Sequence, residues 1–207
     1  MTGATHHYLY TDAGPTWANG YLWPVLRHEV ESLALTSKRA FDLGCGSGAT
    51  ANMLAVLGFG ITGIDLSESG IALAKAAHPN CRFEVASVYD DLAAQFGRFP
   101  LVVSLEVVEH VYDPGRYART LYDLLEPGGT AIVSTPYHGY LKNLALAVSG
   151  KFDKHFTALW DGGHIKFFSI ATLGSLLRET GFKDIRFLRV GRIPPLAKSM
   201  VAIAKKI

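Results

Sequence analysis

Cysteine is nearly missing from this 207-residue chain: it has two, Cys45 and Cys81, each set in an otherwise apolar stretch. So few thiols exclude a disulfide scaffold and fit a reducing compartment. Excess charge of one sign is missing too. The formal net charge of +2 is not the broad basic footprint of a dedicated nucleic-acid binder, so nucleic acid is not expected as a partner. One local asymmetry stands out, seven Lys or Arg from Lys183 onward against the single acid Asp184, and it reads as a solvated edge of the domain. No stretch approaches the roughly 18 apolar residues of a membrane span. The opening MTGATHHYLYTDAG lacks the charged start and apolar run of a secretory signal. Repeats and low-complexity tracts are absent as well. The expectation is a soluble cytoplasmic protein.

What is present is a globular composition, 49% apolar and 18% charged, in a length that suits one domain with a sizeable core. Strand-like and helix-like segments alternate. Lys38 to Leu43 reads as a strand running into Gly44-Cys45-Gly46-Ser47-Gly48, followed by a helix from Ala49 to Leu57. Further strands are expected at Gly60–Asp65, Arg82–Val85, Leu101–Leu105 and Thr130–Thr135. Ser67 caps a helix from Glu68 to Ala77, and Asp113-Pro114 opens another that runs to about Leu125. After Pro136 the order breaks for some 30 residues around one short helix, Leu141 to Val148. It resumes with a helix from Ser169 to Thr180, ended by Gly181, and two terminal strands. This alternation predicts a mostly parallel sheet with helices on both faces. The expectation is a single domain over 1–207, with a helical cap over 1–37 and a substrate lid over 137–168.

In such a sheet, ligands bind beyond the carboxyl ends of the strands, where the strand order reverses. The glycine loop ends the first strand, and Asp65 ends the second at a spacing that suits a carboxylate on ribose hydroxyls. Gly44, Gly46 and Ala49 satisfy the dinucleotide pattern G-x-G-x-x-G/A, a weak signal by itself. Asp42, directly before the loop, is awkward beside a pyrophosphate and well suited to a cationic ligand.

The blocks DLGCGSG, GIDLSESGIALAKA, FEVASVYDDL and LLEPGGTAIVSTP, in that order, resemble class I S-adenosylmethionine-dependent methyltransferases from about Arg39 to the C-terminus. SLEVVEHVYDP and DGGHIKFFS are most similar to the ubiquinone-biosynthesis O-methyltransferase group. The resemblance implies an α/β, Rossmann-like seven-stranded sheet, mostly parallel, with the last strand antiparallel. It implies that Gly44, Gly46 and Gly48 line the methionine part of the cofactor and that Asp42 supports its amino group. Asp65 would hold the ribose hydroxyls, with Leu66 beside the adenine. Ser87 and Val88 would follow the third strand at the adenine edge, Ser87 standing where the family often has an acid, so that contact would be through the backbone. Leu105 would offer its carbonyl to the amino group.

The stretch SLEVVEHV carries Glu106, Glu109 and His110 among apolar neighbours. If the chain is helical from Glu106, the other two lie at i+3 and i+4 on one face. Two carboxylates and an imidazole could then bind a divalent ion such as Mg²⁺ and acidify an acceptor hydroxyl. If the strand continues, Glu106 and His110 share a face without Glu109, and His110 alone could act as base. A purely structural role is the third reading. The resemblance adds His164 as a further metal ligand, with His138 and His155 behind it.

Aromatics precede the first strand (Tyr8, Tyr10, Trp17, Tyr21, Trp23) and populate the lid (Tyr137, Tyr140, Phe152, Phe156, Trp160), where they could close on a flat or lipid-like substrate or simply pack. Lys142, Lys151 and Lys154 beside LALAV would also suit weak peripheral contact with anionic lipid. The expected activity is O-methylation of a hydroxyl on a small molecule. Its rivals are methylation of an RNA 3′-terminal 2′-hydroxyl and a non-catalytic cofactor-binding partner subunit. Nothing in the sequence sets an oligomeric state.

Overall fold

A computed structural model describes residues 9–35, 37–156, 158–160 and 162–207, so Tyr8 lies outside the described residues. The strands are β1 (Arg39–Leu43), β2 (Gly60–Asp65), β3 (Arg82–Val85), β4 (Phe99–Leu105), β5 (Leu125–Pro136), β6 (Lys183–Val190) and β7 (Ser199–Lys205). The helices are α1 (Asn19–Ser32), α2 (Ala49–Val56), α3 (Glu68–Ala77), α4 (Leu92–Phe96), α5 (Pro114–Asp123), α6 (Tyr140–Val148), α7 (Phe152–Phe156) and α8 (Ile170–Thr180).

Local chemistry sets most of these boundaries. The Ser67 hydroxyl accepts from Gly70 N–H at 3.1 Å to start α3, and Asp113 does the same for Arg116 N–H at 2.9 Å ahead of Pro114. Ser169 and Thr172 form a reciprocal capping box on α8, which ends at Gly181 in the left-handed region, φ 115°. The expected fifth strand, Thr130–Thr135, begins five residues early. Leu125 already pairs with Phe99, and the register shifts between Phe99 and Leu101, so Pro127-Gly128-Gly129 forms an irregularity within the strand. Sequence periodicity also missed α4 and α7, each five residues long, too short for a helical pattern to repeat.

The seven strands form one sheet in the order β3-β2-β1-β4-β5-β7-β6, with β7 antiparallel to both neighbours. Alternate residues of the central strands feed two cores. Phe41, Leu43 and Val102 face a cluster with Tyr117 and Leu121 of α5 and Leu173 and Leu177 of α8. Ala40, Leu101 and Val103 face the other side, against Leu22 and Leu26 of α1, Leu54 of α2 and Ile71 of α3. Helices therefore cover both faces. Three of the seven basic residues of the C-terminal run fall on β6, the edge strand, where Lys183, Arg186 and Arg189 are exposed. Charges there discourage pairing with another sheet. No helix among the described residues is long and apolar enough to cross a membrane.

Gly48 belongs to this packing. It precedes α2 at φ 83°, and a Cβ on it would stand 2.9 Å from both the Ala74 Cβ and the Phe83 ring. Gly48→Ala is expected to cost about 1–3 kcal/mol through backbone strain and overpacking. At roughly 2–4 °C per kcal/mol for a chain of this size, Tm falls by several degrees. An unchanged melting curve would contradict this placement.

Candidate active site

The strand order reverses between β1 and β4, and the loops leaving these strands frame a cavity of about 640 Å³. The two loops touch. Gly44 sits at φ 83°, and a Cβ there would fall 2.5 Å from a Val107 methyl, so glycine is required both by the backbone and by its neighbour. Gly46, at φ 54°, lies equally close beneath the Tyr10 ring, which the N-terminal segment lays over the loop.

Asp42 lies at the carboxyl end of β1, only 2% exposed, and its Oδ2 has no hydrogen-bond partner. Burial, then the nearby Asp65 charge, pushes its carboxyl up to about 7. Asp65 is braced differently. Its Oδ2 accepts from Gly46 N–H at 2.9 Å and its Oδ1 from Ser67 N–H at 2.8 Å, which ties the acid to the glycine loop. Leu66, Val88 and Leu105 line the same cavity. Two expected contributors do not line it. Gly48 faces α3 and β3 as described, and Ser87 is occupied in a turn, its N–H on Asp90 Oδ2 at 2.8 Å and its hydroxyl accepting from Tyr89 N–H. Tyr89 lines the cavity in its place.

Beyond Leu105 the chain is neither helical nor extended. Glu106 takes a left-handed conformation, φ 55°, and a turn closes with His110 N–H on Val107 O at 2.9 Å. The two glutamates meet different partners. Glu106 accepts from the Ser134 hydroxyl at 2.7 Å and the Ser199 hydroxyl at 3.2 Å, and Ser199 also bonds Tyr21 at 3.1 Å. Burial raises the Glu106 carboxyl to about 7.

Glu109 has a different environment. It is 0% exposed, and neither carboxylate oxygen has a hydrogen-bond partner among the described residues. Burial and then the charge of Glu106 raise its carboxyl well above the usual range. Its main-chain carbonyl accepts from Ile165 and Lys166 N–H at 2.9 and 3.0 Å, which draws the 162–168 segment back over the site. His110 Nδ1 lies 2.9 Å from Gly162 O and 3.2 Å from Gly163 O. Carbonyls only accept, so Nδ1 is the donor, and in the neutral tautomer that satisfies them Nε2 is the free acceptor.

His164 arrives with this segment, its ring 4.9 Å from that of His110, with Trp160 beside both. Burial first, then His110, lowers the His164 imidazole to about 4, so it is neutral near pH 7. One ligand atom each from Glu109, His110 and His164 lie within 4.8 Å of one another. Glu106, expected as a fourth ligand, is not in this group because two serine hydroxyls hold its carboxylate elsewhere. His138 and His155 pack with Phe156 and Phe167 outside it.

A reversed-order α/β sheet with a glycine loop and an acid on adjacent strand ends defines a Rossmann-like cofactor-binding domain. The model of the methyltransferase domain family matches residues 20–186, and the chain belongs to that family. It is 42% identical over 116 residues to a ubiquinone biosynthesis O-methyltransferase of Caulobacter sp. (strain K31), covering 54% of this chain and 46% of that one. A ubiquinone biosynthesis O-methyltransferase of Pseudomonas aeruginosa (strain LESB58) is 30% identical over 163 residues, 75% of this chain and 69% of the other. The chain thus spans about half the length of the first relative and about two thirds of the second. Among solved structures, an S-adenosylmethionine-dependent methyltransferase from Mesorhizobium loti superposes with a TM-score of 0.68 at 23% identity, over 89% of this chain and 97% of that one.

Proposed function

We propose that the chain transfers a methyl group from S-adenosylmethionine to a hydroxyl of a small molecule, with Glu109, His110 and His164 serving the acceptor. The observation that carries this reading is the convergence of those three side chains, with His110 and His164 lining the same cavity as Asp42, Asp65 and the glycine loop and Glu109 buried behind them. The residues suit the cofactor. Asp42 offers an unpartnered buried carboxylate oxygen for its ammonium group, and no Lys or Arg is among the described residues lining the cavity. S-adenosylmethionine supplies an electrophilic methyl on a sulfonium, and the protein's part is to hold the acceptor oxygen in line and take its proton.

The unpartnered carboxylate and the two imidazoles also suit a divalent ion, which would supply the positive charge that makes an acceptor hydroxyl more acidic. Two nitrogen donors against one carboxylate suit a first-row transition ion better than Mg²⁺, which takes oxygen ligands. Without an ion, His110 Nε2 has the lone pair a general base needs. His164, held neutral to about pH 4, is a weak base.

The acceptor side favours an apolar molecule. Tyr112 and Trp160 line the cavity, and on α6 the side chains of Tyr140, Leu141, Leu144 and Val148 are exposed. This face, with Lys151 and Lys154, supports weak contact with an anionic lipid surface. Lys142 takes no part in that, being buried with its Nζ on Lys198 O at 3.2 Å. An RNA terminus would call for cationic lining, which the described cavity lacks.

Calorimetric titration with S-adenosylmethionine, followed by screening of catechols and other hydroxyl acceptors with and without chelator, tests this reading. Micromolar binding is expected, with activity lost to chelator and restored better by Mn²⁺ or Zn²⁺ than by Mg²⁺. Absence of cofactor binding would sink the proposal. Activity indifferent to chelator would leave His110 as a metal-free base.

A further inference from the structure

At the α1 side of the cavity, four residues form a closed hydrogen-bonded group. Asn19 Oδ1 accepts from Thr16 N–H at 2.6 Å and from the Thr16 hydroxyl at 2.8 Å. Asn19 Nδ2 donates to Thr50 Oγ1 at 3.2 Å, and Trp23 Nε1 donates to the same oxygen at 3.2 Å. Asn19 and Trp23 are four residues apart, so both lie on the face of α1 that meets the first turn of α2.

The polarity of this group is one-sided. A hydroxyl has two acceptor positions and one hydrogen. Both acceptor positions of Thr50 are filled by its neighbours, so only its hydrogen remains to bond, and no acceptor among the described residues takes it. Asn19 is in the same state. Its carbonyl oxygen accepts twice, while one of its two amide hydrogens is unused. Both side chains are at least nine-tenths buried, 7% exposed for Asn19 and 9% for Thr50, and both line the cavity. Buried donors without acceptors are costly, so the arrangement is complete only when an acceptor enters. Thr50 also stands in the first turn of α2, where the positive end of the helix dipole adds to the same polarity.

We infer that Asn19 and Thr50, oriented by Thr16 and Trp23, are the anchor for the α-carboxylate of the cofactor's methionine portion. The inference rests on the cofactor proposed above and deepens it. The cavity has an acid for the ammonium but, among the described lining residues, no Lys or Arg for the carboxylate. Neutral donors whose acceptor capacity is already used do that work without placing a cation next to a sulfonium. Trp23 and Thr16 are positioning residues: each fixes the rotation of a group that touches the ligand.

The test compares S-adenosylmethionine with its decarboxylated analogue, which keeps the sulfonium and the amine but has no carboxylate. Thr50→Val keeps the side-chain shape and removes the donor. It is expected to weaken S-adenosylmethionine binding about tenfold or more, as for a hydrogen bond to a charged group, and to leave the analogue's affinity unchanged. Thr50→Ser restores the hydroxyl and is expected to recover most of the loss. Asn19→Asp, which puts a carboxylate against a carboxylate, is expected to weaken the cofactor more than Thr50→Val does and again to spare the analogue. Equal losses for both ligands, or no loss for either, would overturn the inference while the wild-type titration still stands. A wild-type protein that binds neither ligand overturns the cofactor proposal itself. A variant with a lowered Tm is judged on the ratio of the two affinities, which a general loss of folded protein does not alter.

Discussion

Asp42→Asn is expected to weaken S-adenosylmethionine binding about a hundredfold. Asp42 is buried with one carboxylate oxygen unpartnered, and the cofactor's ammonium is the group that would complete it. Truncating one member of a buried charged pair costs roughly 2–5 kcal/mol, and 1.4 kcal/mol is tenfold in affinity. The pH dependence gives a second readout. The carboxyl of the free protein is raised to about 7 by burial and by Asp65, so below that pH a proton must leave before the ammonium can pair. Affinity should therefore fall by up to tenfold per pH unit as pH drops below about 7, and level off above it. The stability of the cofactor-free protein runs the other way. An acid whose folded pKa lies above its unfolded value weakens the fold as pH rises between the two, here from 3.8 to about 7. Asp42→Asn removes both slopes. Calorimetry and melting curves over pH 5–8 check this. A variant that binds as tightly as wild type, or that keeps the wild-type pH profile, would remove Asp42 from the site.

The loops that end β1 and β2 are legible in the sequence because local chain geometry determines them. A strand, a tight glycine turn and a helix must follow one another, and the acid that ends the next parallel strand is carried to the neighbouring position. Even so, one of the three glycines does not line the cavity. Gly48 looks like its partners in a string of letters, and only the packing of α3 and Phe83 shows that it serves the core. Ser87 was read in the same way from its place after the strand, and its turn with Asp90 takes it away.

At the acceptor end, spacing was a poorer guide. Regular secondary structure offers two ways to relate Glu106, Glu109 and His110, a helix or a strand, and the chain takes neither. Glu106 turns left-handed and its carboxylate is held outside the Glu109–His110–His164 group by serines on β5 and β7, the latter 93 residues away in sequence. His164 reaches His110 because the Glu109 carbonyl and His110 Nδ1 capture a returning segment 52 or more residues downstream. Such main-chain captures have no periodicity to read. The Thr16–Asn19–Thr50–Trp23 group was invisible for a related reason: four common polar and aromatic residues acquire meaning only when α1 meets α2.

Glu109→Gln separates structure from chemistry. The amide keeps the shape of the side chain and loses the charge, so the turn and its hold on Ile165 and Lys166, which run through the main chain, should persist. Methyl transfer to the best acceptor found is expected to fall at least a hundredfold, the scale for losing a ligand or base at the reacting oxygen. S-adenosylmethionine affinity should change little, since Glu109 does not line the cofactor cavity. Metal titration should show weakened binding if the ion is held by Glu109, His110 and His164. Stability should move in the opposite direction to activity. The folded pKa of Glu109 lies well above 4.5, raised by burial and by Glu106, so the wild-type fold is progressively penalised as pH climbs above 4.5. The variant escapes that penalty, and its advantage in Tm should grow with pH over this range. Such an exchange of stability for activity is what a buried, unpartnered carboxylate at a reactive site predicts. Unchanged activity would return Glu109 to a structural role. A variant advantage in Tm that does not grow with pH would show that the carboxylate is not buried as a cost to the fold.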